Sequence, residues 1–461
     1  MRRSWAREEF ETVELGDKRL KSRLVDIAEA FSSHPEASIP QATIEWKRTK
    51  GSYRFFDNKK VKAKKILEAH QNSNLKRANK YTTTKRLFAI QDTTEIKYAT
   101  HPSLELGHGG SLWGNSLFLH GTLIVTEEHI PLGLIDQQVW IRKEVGVRHK
   151  KRERPIEQKE SYKWLKSIQA TSLFQEQKTD THVVSICDRE GDVYDLFAEV
   201  KAQQEKTAID LLVRSAWNRR LEEPEGEGAH LIETLSKQAP VGQYTLTIPR
   251  NGRRKERSLK LEVRYSKVTI KPPLNRSKEK HLMPIELWAV EAKEIQERSK
   301  KECVKWRLLT TYEVSDFESA KLMLDWYTKR WIIEEYFRVL KSGCAIEERQ
   351  LRTSDRLENC LAIDSIIAWR ILFLMYIGRK KPDLPASILF NKIEQTVLYG
   401  FIHKTPKPPP REPSIEDMMK WLAKLGGFLG RKNDGFPGAE VLWRGSWKLP
   451  DIIAAWSIFS S

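Results

Sequence analysis

Two aspartates follow apolar, strand-like segments of the chain. Asp92 comes after the apolar run 87–90, and Asp188 comes after the apolar run 183–187. Carboxylates at the ends of adjacent strands of an open sheet project into the crevice where such sheets bind ligands. Two close carboxylates repel each other unless a proton or a cation neutralises them, and Mg²⁺ is a hard cation that prefers oxygen ligands. The pair predicts a metal site, although either Asp alone could simply cap the junction between a strand and a loop.

A third carboxylate lies in a segment whose helical periodicity begins at residue 318 and continues through 340. An α-helix advances about 100° per residue, which places Arg330, Glu334 and Lys341 within roughly 60° of Tyr327 around the axis. Glu335 lies about 100° from Glu334, outside this stripe. The stripe predicts Glu334 as the working carboxylate. An exposed helix with ordinary charge pairs is the alternative, but aromatic and basic side chains around one carboxylate favour a cleft that holds phosphates.

The segments around the aspartates indicate an α/β fold. Apolar runs at 118–125 and 131–141 predict two strands after the one that precedes Asp92. Strand, helix, strand order around Asp188 implies parallel pairing in an α/β domain. The patterns behind that order are a helix at 161–174, a buried strand at 183–187, a helix at 193–200 and a buried strand at 209–213.

The remaining segments add a β-rich region and helical ends. Residues 219–305 alternate short β runs with turns rich in Arg, Lys, Gly and Pro, which predicts a β-rich insertion. Polar and charged residues interrupt the apolar stretch 363–377, which therefore predicts a buried helix, and we expect no membrane span. Beyond a proline-rich linker we expect a short helical C-terminal unit, in which the helix after Pro450, residues 452–459, is short.

Composition points to a polyanionic partner. Among 461 residues, Lys and Arg number 80 and Asp and Glu 62, which gives a formal net charge of +18. This excess favours a nucleic-acid partner over a merely soluble basic protein. The four cysteines are scattered, which indicates neither a disulfide framework nor a zinc site and fits the reducing cytoplasm. The sequence contains no P-loop, no His-Glu-x-x-His motif and no dinucleotide fingerprint.

The spacing Tyr-x2-Arg-x3-Glu-x6-Lys, formed by Tyr327, Arg330, Glu334 and Lys341, resembles the signature of the DDE transposases of bacterial insertion sequences, in the group that includes the transposon-five transposase. Segments 89–94 and 187–192 resemble the first-aspartate and second-aspartate strands of that family. Other segments resemble its N-terminal DNA-binding unit, with Arg19, Arg23 and Arg54, and its C-terminal domain: 15–19, 23–24, 51–55 and 425–428.

The resemblance implies a fold and a division into domains. The fold is an α/β, ribonuclease H-like catalytic core, a mixed sheet flanked by helices, with a β-rich insertion and helical domains at both ends. The implied domains are a helical N-terminal DNA-binding domain at 1–70, the catalytic domain at 71–380 with its insertion at about 219–305, and a helical C-terminal dimerisation domain at 381–461.

The resemblance also implies an activity. The protein would bind the terminal repeats of its mobile element and cleave and join DNA strands by in-line phosphoryl transfer. Asp92, Asp188 and Glu334 would be the catalytic residues and would hold Mg²⁺, for which Mn²⁺ substitutes. The implied partners are double-stranded DNA, as transposon ends and as target, and a second copy of the chain in a synaptic homodimer.

Several further residues match DNA-contacting positions of the family. Tyr327, Arg330 and Lys341 would position phosphates. Trp306 matches a tryptophan that stacks on a flipped base, and Trp331 matches another aromatic near the element end, with core packing as the alternative for each. Arg214 and Arg338 match positions that contact DNA, with surface solvation as the alternative.

Two other functions remain open on the sequence. A DNA-binding inhibitor would bind element ends without cutting them. A stand-alone nuclease with the same core would cut DNA without pairing ends or joining them to a target. The intact acidic triad and helix signature favour an active transposase over the inhibitor.

Overall fold

The computed structural model describes residues 4–98, 107–108, 115–142, 154–204, 206–222, 229–248, 256–276, 279, 281–295, 303–431 and 434–459. The chain divides into two compact units. The helix-rich unit comprises Met1–Thr84, Thr93–Gly146 and Ile332–Ser461. The sheet unit comprises Lys85–Asp92 and Val147–Trp331.

Ten strands and fourteen α-helices are present in the described residues. The strands are β1 (Arg86–Lys97), β2 (Gly107–His108), β3 (Asn115–Thr126), β4 (Pro131–Trp140), β5 (His182–Cys187), β6 (Ile209–Arg214), β7 (Gly242–Ile248), β8 (Arg257–Ile270), β9 (Ile285–Glu294) and β10 (Lys305–Thr310). The helices are α1 (Trp5–Glu9), α2 (Lys18–Ser33), α3 (Ile39–Thr43), α4 (Trp46–Phe56), α5 (Ala63–Tyr81), α6 (Tyr162–Gln177), α7 (Tyr194–Gln203), α8 (Leu231–Lys237), α9 (Phe317–Thr328), α10 (Trp331–Arg338), α11 (Ser354–Lys380), α12 (Lys392–His403), α13 (Ile415–Leu425) and α14 (Ala439–Phe459).

The sheet unit is built on parallel strands with an antiparallel extension. Its strand order is β1-β5-β6-β10-β9-β8-β7. The pairs β1–β5 and β5–β6 are parallel, as predicted from the strand, helix, strand order, while β10 pairs antiparallel to β6. β5 and β6 are almost continuously buried, which explains their unbroken apolar sequences.

The extension of the sheet corresponds to the predicted β-rich insertion. β7, β8 and β9 form antiparallel pairs, and β9 also pairs with β10. Buried and exposed residues alternate along β7, which is typical of an antiparallel strand with one face on the core. The insertion therefore continues the sheet that contains β5 and β6.

Helix α11 is the centre of the helix-rich unit. It packs against α5, β4, α13 and α14. It is apolar on all sides, as a helix must be when other elements surround it, and by length and composition it could also cross a membrane. The segment 363–377, predicted to be a buried helix, lies inside α11 and is buried almost throughout.

One buried ion pair joins α11 to the N-terminal region of the same unit. The side chain of Arg349 lies 2.7 Å from Asp364 and is 3% exposed. The same guanidinium donates hydrogen bonds to the carbonyl oxygens of Pro35, at 2.9 Å, and Ala37, at 2.6 Å. A buried charge pair is stable only when its remaining hydrogen-bonding groups are satisfied, and here the backbone of residues 35–37 satisfies them.

Two helix predictions were wrong. The predicted single helix over 318–340 consists of α9, a turn at residues 329–330, α10 and a π-helical turn at Val339–Gly343. In the turn at residues 329–330, the N–H of Arg330 bonds to the carbonyl of Tyr327, three residues back, instead of four as in an α-helix. The α-helical hydrogen bonding is therefore interrupted, although the spacing of apolar residues continues. The angles calculated for one continuous helix therefore do not hold across this turn.

The second wrong prediction is the short C-terminal helix. α14 runs from Ala439 to Phe459 and contains Pro450 in its interior. A proline removes a single backbone N–H donor, and this helix continues past it. Pro450 therefore does not mark a helix boundary.

The backbones of α13 and α14 approach each other closely at two glycines. A Cβ atom added to Gly445 would lie 1.8 Å from the carbonyl oxygen of Leu422, and one added to Gly426 would lie 1.8 Å from that of Val441. Both neighbours are backbone atoms that cannot rotate away. Gly426, in segment 425–428, and Gly445 therefore allow α13 and α14 to pack closely.

We predict that Gly445→Ala lowers the free energy of unfolding by about 1–3 kcal/mol, because the added methyl group must push the two helices apart. Alanine is a better helix former than glycine, so helix propensity alone would give the opposite sign. Gly438→Ala is the control, since a Cβ there meets no atom within 4 Å. Urea denaturation of the three proteins measures the difference, and a Gly445→Ala protein as stable as the control would refute the close packing.

Candidate active site

The parallel register places three charged residues in one row. Ile90 pairs with Ile186, so the same register two residues further puts Asp92 beside Asp188. Cys187 pairs with Val213, which likewise puts Asp188 beside Arg214. Neighbouring strands are about 4.8 Å apart, so a continuation of this register places the three residues at neighbouring positions along one edge of the sheet.

Asp92 differs in one respect from its prediction. We expected it at the end of a strand, but β1 continues to Lys97. The pairing of β1 with β5 ends at Ile90, two residues before Asp92. Asp92 therefore follows the parallel-paired part of β1, which is the feature that matters for a crevice at the strand ends.

Arg330 supplies a positive charge to this row. Its Nη1 lies 3.2 Å from Oδ2 of Asp92, and the two side chains are 15% and 17% exposed. A largely buried carboxylate needs such a partner, because desolvation of an unpaired charge costs several kcal/mol. The guanidinium therefore neutralises Asp92 in the structure as it stands.

The carboxylate of Asp188 is partly buried. Its Oδ1 accepts a hydrogen bond of 2.8 Å from the N–H of Glu190, which caps the short turn Arg189–Gly191. Burial raises the pKa of Asp188, and the Glu190 N–H and the charge of Arg330 oppose that rise. A carboxylate that is desolvated but only partly compensated favours the approach of a further cation.

Tyr327 and Trp306 lie next to the row. Burial raises the pKa of Tyr327, while the charges of Arg330 and Arg214 and a hydrogen bond with Arg214 oppose the rise. The rings of Trp306 and Tyr327 contact edge to face, with centroids 5.2 Å apart. Tyr327 therefore links the basic side chains to an aromatic surface, and Trp306 has a packing contact whatever else it binds.

Arg214 and Trp331 complete the candidate residues of the sheet unit. Burial lowers the pKa of Arg214, and its Nη2 donates to the carbonyl of Lys305 at 3.3 Å. Trp331 is 54% exposed, which is unusual for a large apolar side chain and is compatible with contact to a ligand. The structure thus assembles the sheet-unit candidates that the sequence predicted: Asp92, Asp188, Arg214, Trp306, Tyr327 and Arg330.

Glu334, Arg338 and Lys341 belong to the helix-rich unit. Glu334 lies in the first turn of α10, where the helix dipole favours a negative charge, and its side chain is half-buried. The neighbouring Glu335 accepts a 2.7 Å hydrogen bond from the hydroxyl of Tyr376 and lies 3.8 Å from Arg338. These polar contacts engage Glu335.

Lys341 lies in the π-helical turn that follows α10. Burial lowers the pKa of Lys341, and the charges of Glu347 and Glu95 oppose this. π-helical turns are rare and occur frequently at functional sites. Arg338, by contrast, has a side chain that is 58% exposed on α10.

The N-terminal candidates lie on α2 and α4. Arg19 is almost fully exposed and pairs with the helix-capping Asp17 at 3.1 Å. Arg23 lies against Gly51, where an added Cβ would come within 2.8 Å of its guanidinium. Arg54 is exposed on α4. Arg19 and Arg54 can reach a polyanion directly, whereas Arg23 also packs between the two helices.

The sheet-unit carboxylates have the donor chemistry of a divalent-metal site. Among the described residues, no group of three or more His, Cys, Asp or Glu side chains is close enough to hold a metal ion. Asp92 and Asp188 nevertheless supply hard oxygen ligands side by side, and Arg330 already provides the cation that such a pair requires. The residues fit a divalent cation, provided that Arg330 moves away from Asp92.

We predict that Asp188→Asn stabilises the protein at neutral pH. Because the pKa of Asp188 is raised in the folded state, its charge destabilises the fold above that pKa, and the penalty disappears as the pH falls through it. Melting temperatures in EDTA between pH 4 and 8 should therefore show a gain for the variant that shrinks on acidification.

The control for this prediction is Asp180→Asn. A hydrogen bond from Lys178 lowers the pKa of the exposed Asp180, so its charge favours the fold and its removal should bring no gain at neutral pH. An Asp188→Asn protein that melts at or below the wild-type temperature at pH 8 would contradict the proposed strain at this carboxylate.

Three family models match the chain in order. Residues 2–61 match the model described as transposase DNA-binding, residues 198–369 match the transposase DDE domain, and residues 366–455 match the transposase Tn5 dimerisation domain. The DDE match contains Arg330, Glu334 and Lys341, whereas Asp92 and Asp188 precede it. These matches, with a mixed sheet flanked by helices, define a DNA transposase with a ribonuclease H-like catalytic fold.

The chain belongs to the DDE transposases, in the group that includes the transposon-five transposase. Enzymes with this domain use divalent metal to cleave DNA and transfer strands. The fold class and the family predicted from the sequence are thereby confirmed.

One solved structure that the chain resembles is the cryo-EM structure of the piggyBac transposase synaptic complex with hairpin DNA. The TM-score is 0.32 and the sequence identity 11%. The alignment covers 69% of this chain and 52% of that one, so the chain spans about half the length of the piggyBac protein.

One buried carboxylate near the row, that of Asp192, was not among the predicted site residues. Asp192, at the end of segment 187–192, has a fully buried side chain in contact with Arg219 at 2.6 Å. Its other partners lie in the loop after β6, at residues 215–217. Its position four residues after Asp188 was visible in the sequence, but its partners lie 23 or more residues away along the chain.

Proposed function

We propose that this protein carries out cut-and-paste transposition. It binds the terminal repeats of its own mobile element as double-stranded DNA, cleaves the strands with Mg²⁺ and joins the freed ends to target DNA. The observation that carries this proposal is the row of Asp92 and Asp188 on parallel strands, with Arg330 as the counter-charge of Asp92.

Asp92, Asp188 and Glu334 hold the metal in this proposal. When bound, a pair of divalent ions supplies activation of the attacking oxygen and stabilisation of the leaving one, and Mn²⁺ would serve in place of Mg²⁺. Glu334 is the proposed third ligand because it stands in the Tyr-x2-Arg-x3-Glu-x6-Lys spacing and in the first turn of α10, whereas the carboxylate of Glu335 accepts the Tyr376 hydroxyl.

Arg330 has two roles in succession. Before DNA binds, it offsets the charge of Asp92 and so lowers the cost of burying that carboxylate. A bound phosphate offers the guanidinium a bidentate partner, which frees the oxygens of Asp92 for the metal. DNA binding and metal binding therefore favour each other.

The other candidates position the DNA. Tyr327 donates a hydrogen bond to a phosphate oxygen, and burial raises the pKa of its hydroxyl, so that it keeps its proton. Lys341 supplies a positive charge. Arg214 and Arg338 contact the backbone. Trp306 and Trp331 present aromatic surface for a base removed from the stack near the cut.

The regions outside the catalytic core bind the element end and pair two copies of the chain. Arg19, Arg23 and Arg54 contact the terminal repeat from the N-terminal domain, residues 1–70. Residues 71–380 form the catalytic domain, and residues 381–461 form the contact in a synaptic homodimer. The protein acts in the bacterial cytoplasm, on the nucleoid, without a membrane partner.

We predict that Glu334→Gln abolishes Mg²⁺-dependent cleavage of element ends, with a loss of at least about 100-fold, while end binding stays within about twofold, because one metal ligand is lost but the basic contacts remain. Glu335→Gln is the matched control and should keep most of the activity. Cleavage of labelled DNA that carries the sequence flanking the gene, together with gel-shift affinity, measures both quantities.

The outcome also separates the alternatives. Wild-type protein that binds ends but cuts nothing in Mg²⁺ or Mn²⁺ would be an inhibitor. Protein that cuts unpaired ends and joins nothing would be a nuclease. Cleavage retained by Glu334→Gln at the wild-type rate would contradict the assignment of the third ligand.

For the N-terminal contacts, we predict that Arg54→Ala weakens end binding and reduces the slope of log affinity against log salt by about 1, because one phosphate contact is lost. Lys420→Ala is the control, a basic residue on α13 that pairs with Glu416 at 2.9 Å. Affinities measured between 50 and 200 mM salt give the slope. Equal slopes for the two variants would show that Arg54 does not contact a DNA phosphate.

A further inference from the structure

The loop after β6, residues 215–219, is fastened by one buried carboxylate. Oδ2 of Asp192 accepts hydrogen bonds from the backbone N–H groups of Ala216, at 2.7 Å, and Trp217, at 3.1 Å, and from the hydroxyl of Ser215, at 3.2 Å. Oδ1 of Asp192 accepts from Nε of Arg219 at 2.7 Å. A single side chain thus organises the whole loop.

The loop is also fixed on its other side. The side-chain oxygen of Asn218 accepts the N–H of Ile232 at 2.8 Å, and its amide nitrogen donates to Glu233 at 3.0 Å. At the start of the loop, the N–H of Ser215 bonds to the carbonyl of Arg307 at 2.8 Å. Hydrogen bonds therefore hold the loop on both sides.

Trp217 is the exception in this tightly held loop. Its backbone is hydrogen-bonded, but its side chain is 67% exposed. Placing a large apolar ring in water is unfavourable, and neither Asp192 nor Asn218 needs the ring for its own contacts. The loop therefore holds an indole at a defined place on the surface, as a preorganised binding group does.

Positive charge surrounds the base of this loop. Arg214, the last residue of β6, is three positions before Trp217 and stands in the carboxylate row. Arg189 is exposed, and its charge is close enough to Arg214 to help lower the pKa of that residue. Arg189 and Arg214 thus place positive charge at the base of the loop that carries Trp217. Proteins bind unpaired nucleotides by stacking the base on an aromatic ring and by contacting the phosphates with cationic side chains.

We infer that Trp217 is a stacking platform for an unpaired nucleobase of the DNA that lies on the row of Asp92, Asp188 and Arg214. This inference rests on the proposed function, because it takes DNA to be the ligand of that row. Trp217 is a residue that neither the helix signature nor the aspartate segments pointed to.

Asp192 acts as a positioning residue for Trp217. The segment 188–192 carries a proposed metal ligand at one end and the anchor of the loop at the other. The position of the stacked base is therefore tied to the position of Asp188. This connection would set which nucleotide lies at a fixed distance from the scissile phosphate.

The test uses the full-length protein and DNA of its own element end, with 2-aminopurine placed at successive positions around the cut site, in buffer without divalent metal. Stacking on an aromatic ring quenches the fluorescence of an unpaired 2-aminopurine. We expect one position to be quenched by the wild-type protein and to stay bright with Trp217→Ala. Trp217→Phe should restore the quenching in part, because it keeps an aromatic face.

The affinity for the same DNA should fall about five- to 150-fold in Trp217→Ala, the range that corresponds to the loss of one stacked base. Leu274→Ala is the control, an apolar side chain of the sheet unit that is 68% exposed. Asp192→Asn should lose part of the quenching, and the double variant with Trp217→Ala should lose no more than Trp217→Ala alone.

The inference is overturned if the wild-type protein and Trp217→Ala quench every position equally. Failure of the proposed function has a different signature, in which the wild-type protein neither prefers element ends nor cuts them with Mg²⁺. A single-stranded oligonucleotide with one 2-aminopurine decides the stacking role in that case too, since quenching that does not depend on Trp217 would rule it out.

Discussion

Parallel pairing of β1, β5 and β6 brings Asp92, Asp188 and Arg214 to one edge of the sheet, and the rest of the site follows from that register. Two neighbouring carboxylates in a partly buried place repel each other and lose hydration, so the fold must supply positive charge. Arg330 does so for Asp92, and the N–H of Glu190 does so in part for Asp188. The repulsion between the two partly buried carboxylates destabilises the protein without metal, and a divalent cation that binds both of them would relieve it.

Rigid backbone around this row gives its charges fixed positions. Asp192 ties the turn after β5 to the loop after β6, so the proposed metal ligand Asp188 and the exposed Trp217 are held by connected backbone. In the helix-rich unit, the carboxylate of Glu335 accepts a hydrogen bond from the hydroxyl of Tyr376.

Local patterns in the sequence were sufficient to predict the buried strands that precede the two aspartates. The runs before Asp92 and Asp188 are apolar because β1 and β5 are buried, and their order dictates parallel pairing. Helix continuity was not predictable, because the apolar period continues through the turn at 329–330 and the π-helical turn. The partners of Glu335 and Asp192 depend on tertiary contacts 41 and 24 residues away along the chain, which no local pattern encodes.

The central claim is that Asp92, Asp188 and Glu334 surround one metal site when DNA is bound. Fe²⁺ can replace Mg²⁺ in such oxygen-ligand sites, and with peroxide it generates hydroxyl radicals that cut the polypeptide close to the ion. Mapping of the fragments formed in the presence of element-end DNA tests the claim directly. The account predicts cuts near all three residues, suppressed by excess Mg²⁺, and cuts near the two aspartates but not near Glu334 would contradict it.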